Sequence, residues 1–548
     1  MKNLCICLTT ILLAMVNFVT VYSQRNTNPE DKITSSHLES YVSFLASPLL
    51  KGRKDGEEGL DIAAQYLASQ AKLIGLKPAN GISYYQPYFV TKKSMDPDKT
   101  RIQVISENRD TITLREPFYS LLPMGPADLK IDGDVVFAGY GIKSDKYHYN
   151  DFDSLQTEGK ILLVMDRAPM SEDGEKCQFV EPNWKSSRSF QMKIQNLIFS
   201  KAKAILFVPD PKSGFESFSQ SSPGLADYLY SSITLRSDKE IGNNYMQSML
   251  KVLFINRSVA DAILKGSGHS LEELQKNIDA TLTPHSFLIT NKQLKITEVT
   301  FKKEIILNNV AGYIEGRDPV LKNETVVFSG HYDHIGLSGN NVNPGADDDA
   351  SGCAALLSMA EAFQSLNKKP LRSILFLWVS GEEIGLFGSQ SYVNNPLFPL
   401  DKTVVDLNMD MIGRVKGVAD TSAEHPMTGP NSVFVITDNQ SKELIAIANE
   451  IDRKSPLDFD YSLSGRNHPL MLFSRSDHYN FVKKNIPVLF FSSGLHTDYH
   501  TPGDAIEKID FKKMELVTRT MYQIGLAVAN KKTRPVVDNP YSSWGKSK

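Results

Sequence analysis

Thr325-Val326-Val327-Phe328-Ser329-Gly330-His331-Tyr332-Asp333-His334 decides the fold of the larger part of this chain. The run 325–329 is apolar and β-branched without polar alternation, the pattern of a strand covered on both faces. Runs of the same texture occur at 374–379 (Ile-Leu-Phe-Leu-Trp-Val) and 487–491 (Pro-Val-Leu-Phe-Phe). Helices fit between them at 352–366, 443–451 and 514–529, so the chain after Phe301 is predicted to be α/β, with a sheet buried between helical layers. Sites in such sheets form beyond the carboxyl ends of the strands, which is where His331 and Asp333 fall.

Nearer the amino terminus, residues 35–76 carry apolar positions at helical spacing, around Leu38-Val42-Leu45 and Ile62-Tyr66-Leu67-Ala71-Ile74. From about 132 to 284 the texture changes to short β-rich runs such as 135–142 and 160–165, which predicts a separate inserted domain. The boundaries read as 24–130 for the entry segment, 131–290 for the insertion, 291–531 for the main α/β part and 532–548 for a polar tail. Lys2 followed by an apolar run and then Ser23 predicts a cleaved signal peptide over 1–23, and hence an exported protein, periplasmic or extracellular, with no stable membrane insertion after cleavage. The formal charge of −3, from 60 basic and 63 acidic residues without a single-sign block, gives no reason to expect nucleic acid. Only Cys177 and Cys353 lie beyond the signal segment, so no disulfide framework is expected.

Five stretches carry chemistry. His331 ends a strand, and Asp333, two residues on, is placed to accept its second ring N–H. Asp347-Asp348-Asp349 precede an apolar helix; capping explains one of them, but three adjacent carboxylates repel unless solvent or a cation relieves them. Glu382-Glu383 follow the strand 374–379; adjacent glutamates favour a helix start, or divide labour between holding a metal and taking a proton from water. Asp410 lies in an otherwise apolar stretch, where a carboxylate is costly unless paired or ligated. His500, in Asp498-Tyr499-His500-Thr501-Pro502, follows the last strand in a loop fixed by proline. Together these supply imidazoles and carboxylates from several strand ends, a set suited to a pair of zinc ions sharing one carboxylate.

The order His331-x-Asp333, Gly345-Ala346-Asp347-Asp348-Asp349-Ala350-Ser351-Gly352, Glu382-Glu383, Asn408-Met409-Asp410 and Tyr499-His500-Thr501-Pro502 closely resembles the co-catalytic zinc aminopeptidases, relatives of glutamate carboxypeptidase and the transferrin receptor. The block with 137–142 and 159–164 is similar to the protease-associated domain often inserted in them. The resemblance implies a mixed-sheet, phosphorylase/hydrolase-like zinc-exopeptidase domain with that insertion. It implies two Zn2+ per chain, one on His331 and Asp410, the other on Glu383 and His500, with Asp348 bridging. Glu382 would be the general base acting on a water between the zincs, and Asp333 the partner of His331. Peptides would be the substrates and removal of the N-terminal residue the reaction.

Two other functions fit the same motifs. A carboxypeptidase or dipeptidase of the family would use the same metals, although the chain leaves no room after Ala529 for the C-terminal helical domain of the glutamate carboxypeptidase branch. A receptor-like binding protein would have lost ligands, and here every expected ligand is present. His334, His468, His478 and His496 read as shell or surface residues, and neither side-chain preference nor oligomeric state is legible.

Overall fold

The apolar run ahead of His331 forms the strand Thr325–His331, every residue of it buried. The computed structural model describes residues 28–541 except 121–127, 154, 180–187, 223–225, 227–228, 230, 237–250, 419–421 and 423–424. The expected signal segment 1–23 and the last part of the polar tail, 542–548, lie outside the described residues. The chain divides into two compact units, Met1–Tyr88 with Ile306–Lys548, and Phe89–Ile305.

In the first unit the main sheet includes β1 (Lys77–Pro78), β2 (the 310–314 end of Phe287–Ile314), β3 (Thr325–His331), β4 (Ser373–Val379), β5 (Thr403–Met409), β6 (Ser432–Ile436), β7 (Asp458–Asp460) and β8 (Val488–Ser492). They pair in the order β1-β2-β4-β3-β5-β8-β6-β7. β4, β3, β5 and β8 run parallel to one another, while β2 and β6 are antiparallel to their neighbours in the central set. The sheet is therefore mixed, with its parallel strands in the middle, where both faces are covered.

The alternation along the central strands shows how both faces are filled. Val327, Leu375, Leu377 and Val379 pack with Tyr392, Phe473, Phe481 and Phe490 on one face. Phe328, Phe376 and Trp378 point the other way, into ring contacts with one another and with Phe363. The first face is covered by α4 (Phe387–Asn394) and α6 (His478–Lys483), the second by α3 (Ala350–Ser365) and α7 (Phe511–Asn530), with α1 (Ser35–Leu45) and α2 (Glu58–Ile74) packed on α3 and α5 (Lys442–Asp452) on α7. Gly352, in the first turn of α3, is required by that approach: a Cβ there would stand 2.3 Å from the carbonyl oxygen of Met409.

The helical entry segment is present, with its faces partly re-read. α1 buries Leu38, Val42 and Leu45 as the spacing predicts. α2 buries Leu60, Ala63, Ala64, Leu67, Ala68 and Ala71, while Ile62 stays 40% exposed. The small residues let the helix approach its neighbours closely, and that decides the face over the single larger side chain.

The second unit has its own core, including Val135, Phe137, Ile161, Leu163, Leu206, Leu253 and Ile278. Its centre is a parallel set in which Ile161–Met165 lies between Asp128–Phe137 and Ala204–Val208, and the latter pairs with Lys251–Phe254. The segment expected as an insertion, 131–290, lies inside this unit, whose limits run wider because Arg101–Ser106 pairs with 292–297. Cys177 and Cys353 are not bonded to each other. No helix among the described residues is long and apolar enough to cross a membrane.

Candidate metal centre

Because β3, β4, β5 and β8 are parallel, their carboxyl ends share one edge of the sheet, and the residues at and just beyond those ends converge there. β3 ends on His331; Glu382 and Glu383 come directly after β4; Asp410 comes directly after β5; the loop after β8 returns His500. Asp348 arrives from the loop that starts α3. His500 holds a left-handed backbone, φ 57°, a conformation that costs about 1 kcal/mol or more away from glycine.

Asp348 stands between the two histidines. Its Oδ1 lies 3.1 Å from His331 Nε2 and its Oδ2 3.2 Å from His500 Nε2. His331 Nε2 is also 3.5 Å from Asp410 Oδ1, and His500 Nε2 3.0 Å from Glu383 Oε2. The structure thus gathers the five residues as two clusters that share one carboxylate.

These atoms face one another without satisfying one another. His331 Nε2, Asp348 Oδ2, Asp410 Oδ1 and His500 Nε2 are buried without a hydrogen-bond partner, an arrangement that costs about 1–3 kcal/mol per group if left so. Two ligands each about 2.0–2.1 Å from a tetrahedral ion stand roughly 3.3 Å apart. The separations of 3.0–3.5 Å between the atoms of each cluster fit that requirement. A divalent cation in each cluster would occupy the orphaned lone pairs.

Each of the three consecutive aspartates has a separate task, and a cation is not what relieves all of them. Asp349 caps α3, accepting from Gly352 N (2.8 Å) and also from His331 N (3.2 Å) and Met411 N (3.3 Å). Asp347 accepts from Gly413 N at 2.6 Å. Only Asp348 points both oxygens into the centre. Its loop is held from behind by Asp504, which accepts from the N–H groups of Asp347 and Asp348 at 3.1 Å each. Arg53 binds the same loop through the carbonyls of Pro344 (2.7 Å) and Gly345 (3.0 Å).

The expected role of Asp333 is modified. His331 Nδ1 lies 3.2 Å from the main-chain carbonyl of Asp333 and 3.7 Å from its carboxylate. The carboxylate instead accepts from Glu383 N at 3.1 Å. Asp333 thereby fixes the Glu382-Glu383 turn, and its carbonyl orients the imidazole.

His334, read from the sequence as a shell or surface residue, is in the centre itself. Its Nδ1 donates to Glu383 Oε1 at 2.8 Å and lies 3.6 Å from Asp348 Oδ2. Ligand atoms of His334, Asp348, Glu383 and His500 all lie within 4.8 Å of one another. The available signal was its offset of three from His331 past the strand end, which a short turn folds back onto the same edge. His334→Ala is expected to weaken retention of the ion beside Glu383 by about 10- to 100-fold, and His334→Asn, which keeps a donor near the Nδ1 position, to recover most of it. Chelator competition at constant pH measures this, and equal retention in all three proteins would rule the positioning role out.

The charges of the centre shift one another strongly. Burial pushes Glu383 up, and repulsion from Asp348 adds to that, but the hydrogen bond from His334 and the charge of the facing His500 prevail and hold it at about 2. Burial disfavours the charged form of His500, yet Asp348 and Glu383 raise it to about 10. Glu382 is different: burial holds its carboxyl well above the usual range, and Glu383, Asp410 and Asp477 add to that against the pull of His331. It lines a cavity with Asp348, Asp410, Met411, Leu472, Arg475, Phe490, Leu495 and Tyr499. Glu382 and Asp410 are both pushed up by burial and both line this cavity, and of the two it is Asp410 that stands within ion-pair distance of a histidine.

Fold and site together place a candidate metal centre at the carboxyl ends of the parallel strands of a mixed sheet. Residues 309–525 match the model of peptidase family M28. Leucine aminopeptidase 1 of Trichophyton equinum is 27% identical over 226 residues, 39% of this chain and 56% of that protein. Aminopeptidase YwaD of Bacillus subtilis strain 168 is 31% identical over 242 residues, 41% of this chain and 47% of that protein. The chain thus spans about half the length of the curated relatives it matches. An aminopeptidase from Aneurinibacillus sp. strain AM-1 shares the fold, with a TM-score of 0.50 at 18% identity over 93% of this chain and 98% of that one.

Proposed function

We propose that this chain is an exported zinc aminopeptidase that removes the N-terminal residue of peptides, with two zinc ions held by His331, Asp410, Glu383 and His500 and bridged by Asp348. The observation that carries the reading is the pair of imidazole–carboxylate clusters sharing Asp348 at ligand spacing, with Glu382 beside them. Mixed imidazole and carboxylate donors suit zinc. The relatives named as aminopeptidases, two-fifths of the chain aligned, support the same reaction. Export rests on the leader 1–23, and the segment 131–290 is taken as a protease-associated insertion.

Bound zinc would supply acidified water and a polarised scissile carbonyl. The chain's own residues do the rest. Glu382, which lines the cavity and belongs to neither ligand cluster, takes a proton from the attacking water and returns it to the departing amine. Met411, Leu472, Phe490 and Leu495 give the cavity an apolar wall for the side chain of the first residue.

The test is zinc content per chain together with hydrolysis of aminoacyl amides, each with a free and an acetylated amine. Zinc binding and cleavage confined to free amines is the expected result. Cleavage of blocked peptides would turn the reading to a carboxypeptidase, and absence of both metal and turnover to a receptor-like protein.

A further inference from the structure

Three arginines approach the centre, and they are employed differently. Arg53 is buried and spends its donors on main-chain carbonyls of Tyr332, Leu45, Pro344 and Gly345. Arg414 is paired with Asp498 at 2.6 Å and lies 3.8 Å from Asp504. Arg475 lines the same cavity as Asp348, Glu382 and Asp410, yet among the described residues it has no carboxylate within ion-pair distance. It is exposed, and its partner is the phenol of Tyr499, with Nη2 3.3 Å from the hydroxyl oxygen and the guanidinium 5.8 Å from the ring centre.

Tyr499 gives Arg475 a defined place relative to the metals. The Tyr499 ring stacks on the imidazole of His500, ring centres 3.8 Å apart. The guanidinium therefore stands no more than two to three extended residues from a ligating imidazole, at ~3.3–3.6 Å per residue. A guanidinium carries five N–H donors in a fork that matches a carboxylate. The phenol accounts for one nitrogen, so the rest of the fork is available to a substrate. The rest of the cavity lining is three carboxylates, four apolar side chains, Ser476, Ser492 and Tyr499, so Arg475 is the one cationic side chain that faces this space.

We infer that Arg475 binds a carboxylate of the substrate on the far side of the scissile bond, so that the site selects peptides whose second residue carries one. Two sources share that chemistry, the free α-carboxylate of a dipeptide and an acidic side chain at the second position. The inference rests on the aminopeptidase reading above and narrows its substrate class.

The experiment compares kcat/KM of the zinc-loaded full chain on two matched pairs, Leu-Gly against Leu-Gly amide, and Leu-Glu amide against Leu-Gln amide. It is run on the natural chain, Arg475→Gln and Arg475→Lys. The natural chain is expected to prefer the carboxylate member of at least one pair by ~10- to 100-fold, mostly through KM, the range of a hydrogen-bonded ion pair. That ratio should fall to about one in Arg475→Gln and be intermediate in Arg475→Lys, whose point charge lacks the fork. A preference in the first pair identifies the α-carboxylate, and one in the second the acidic side chain. Equal turnover within both pairs, or a preference that survives Arg475→Gln, overturns the inference and leaves the aminopeptidase reading standing. Failure to hydrolyse any peptide with a free amine overturns that reading, and the inference with it.

Discussion

Glu382→Gln is expected to lower kcat/KM on a free-amine aminoacyl amide by about 10²- to 10⁴-fold while both metal ions stay bound. The amide keeps the size and hydrogen-bonding reach of the carboxyl but cannot take a proton. No atom of Glu382 belongs to either cluster of facing imidazole and carboxylate atoms, so the lone pairs that would hold the ions remain. A loss on this scale is about 3–5.5 kcal/mol of transition-state stabilisation, and it should be carried mainly by kcat, since the proton is in flight in the transition state. The check is metal content and steady-state kinetics on the same preparation. Loss of metal from Glu382→Gln would show that this residue, and not only its neighbour Glu383, helps to hold an ion, and the division of labour between them would fail.

The distinction between the two glutamates shows what sequence can and cannot carry. That some chemistry sits at 382–383 is legible from two acids directly after a seven-residue apolar strand, Ser373–Val379. Which of them faces the histidines depends on the turn, and the turn is set by Asp333 accepting from Glu383 N, fifty residues away. The same holds for Asp347, Asp348 and Asp349. Their crowding is visible in the sequence, but their separate tasks depend on Gly413, Gly352 and Asp504, which the fold brings to them. The α/β alternation was legible because the central strands are apolar on both faces, a pattern that neighbouring residues reveal without knowledge of contacts. His334 was not, because its signal is a bend of the chain and not a period. The buried face of α2 was read only in part for a related reason: Leu67 and Ala71 are buried as the spacing predicts, while Ala63, Ala64 and Ala68 are weakly apolar in sequence, but their small size admits α3.

Asp348→Asn should have the broader effect of the two, because it is the one side chain placed in both clusters. Each of its oxygens faces a different histidine, at 3.1 and 3.2 Å. Substituting the amide replaces one of these oxygens with an N–H donor, which cannot ligate a cation, and removes the negative charge that both ions would share. Loss of an outer-shell partner alone weakens metal binding by about 10- to 100-fold, so loss of a shared ligand should exceed that at both sites, and activity should fall with metal content. Folding is a separate matter: the main chain of Asp348 is held by Asp504, and Asn leaves that N–H in place. The variant is therefore expected to keep its circular dichroism spectrum while metal titration shows both affinities reduced together. A variant that loses one ion and holds the other normally would place Asp348 in a single cluster, and a variant with full metal content and activity would remove it from the centre altogether.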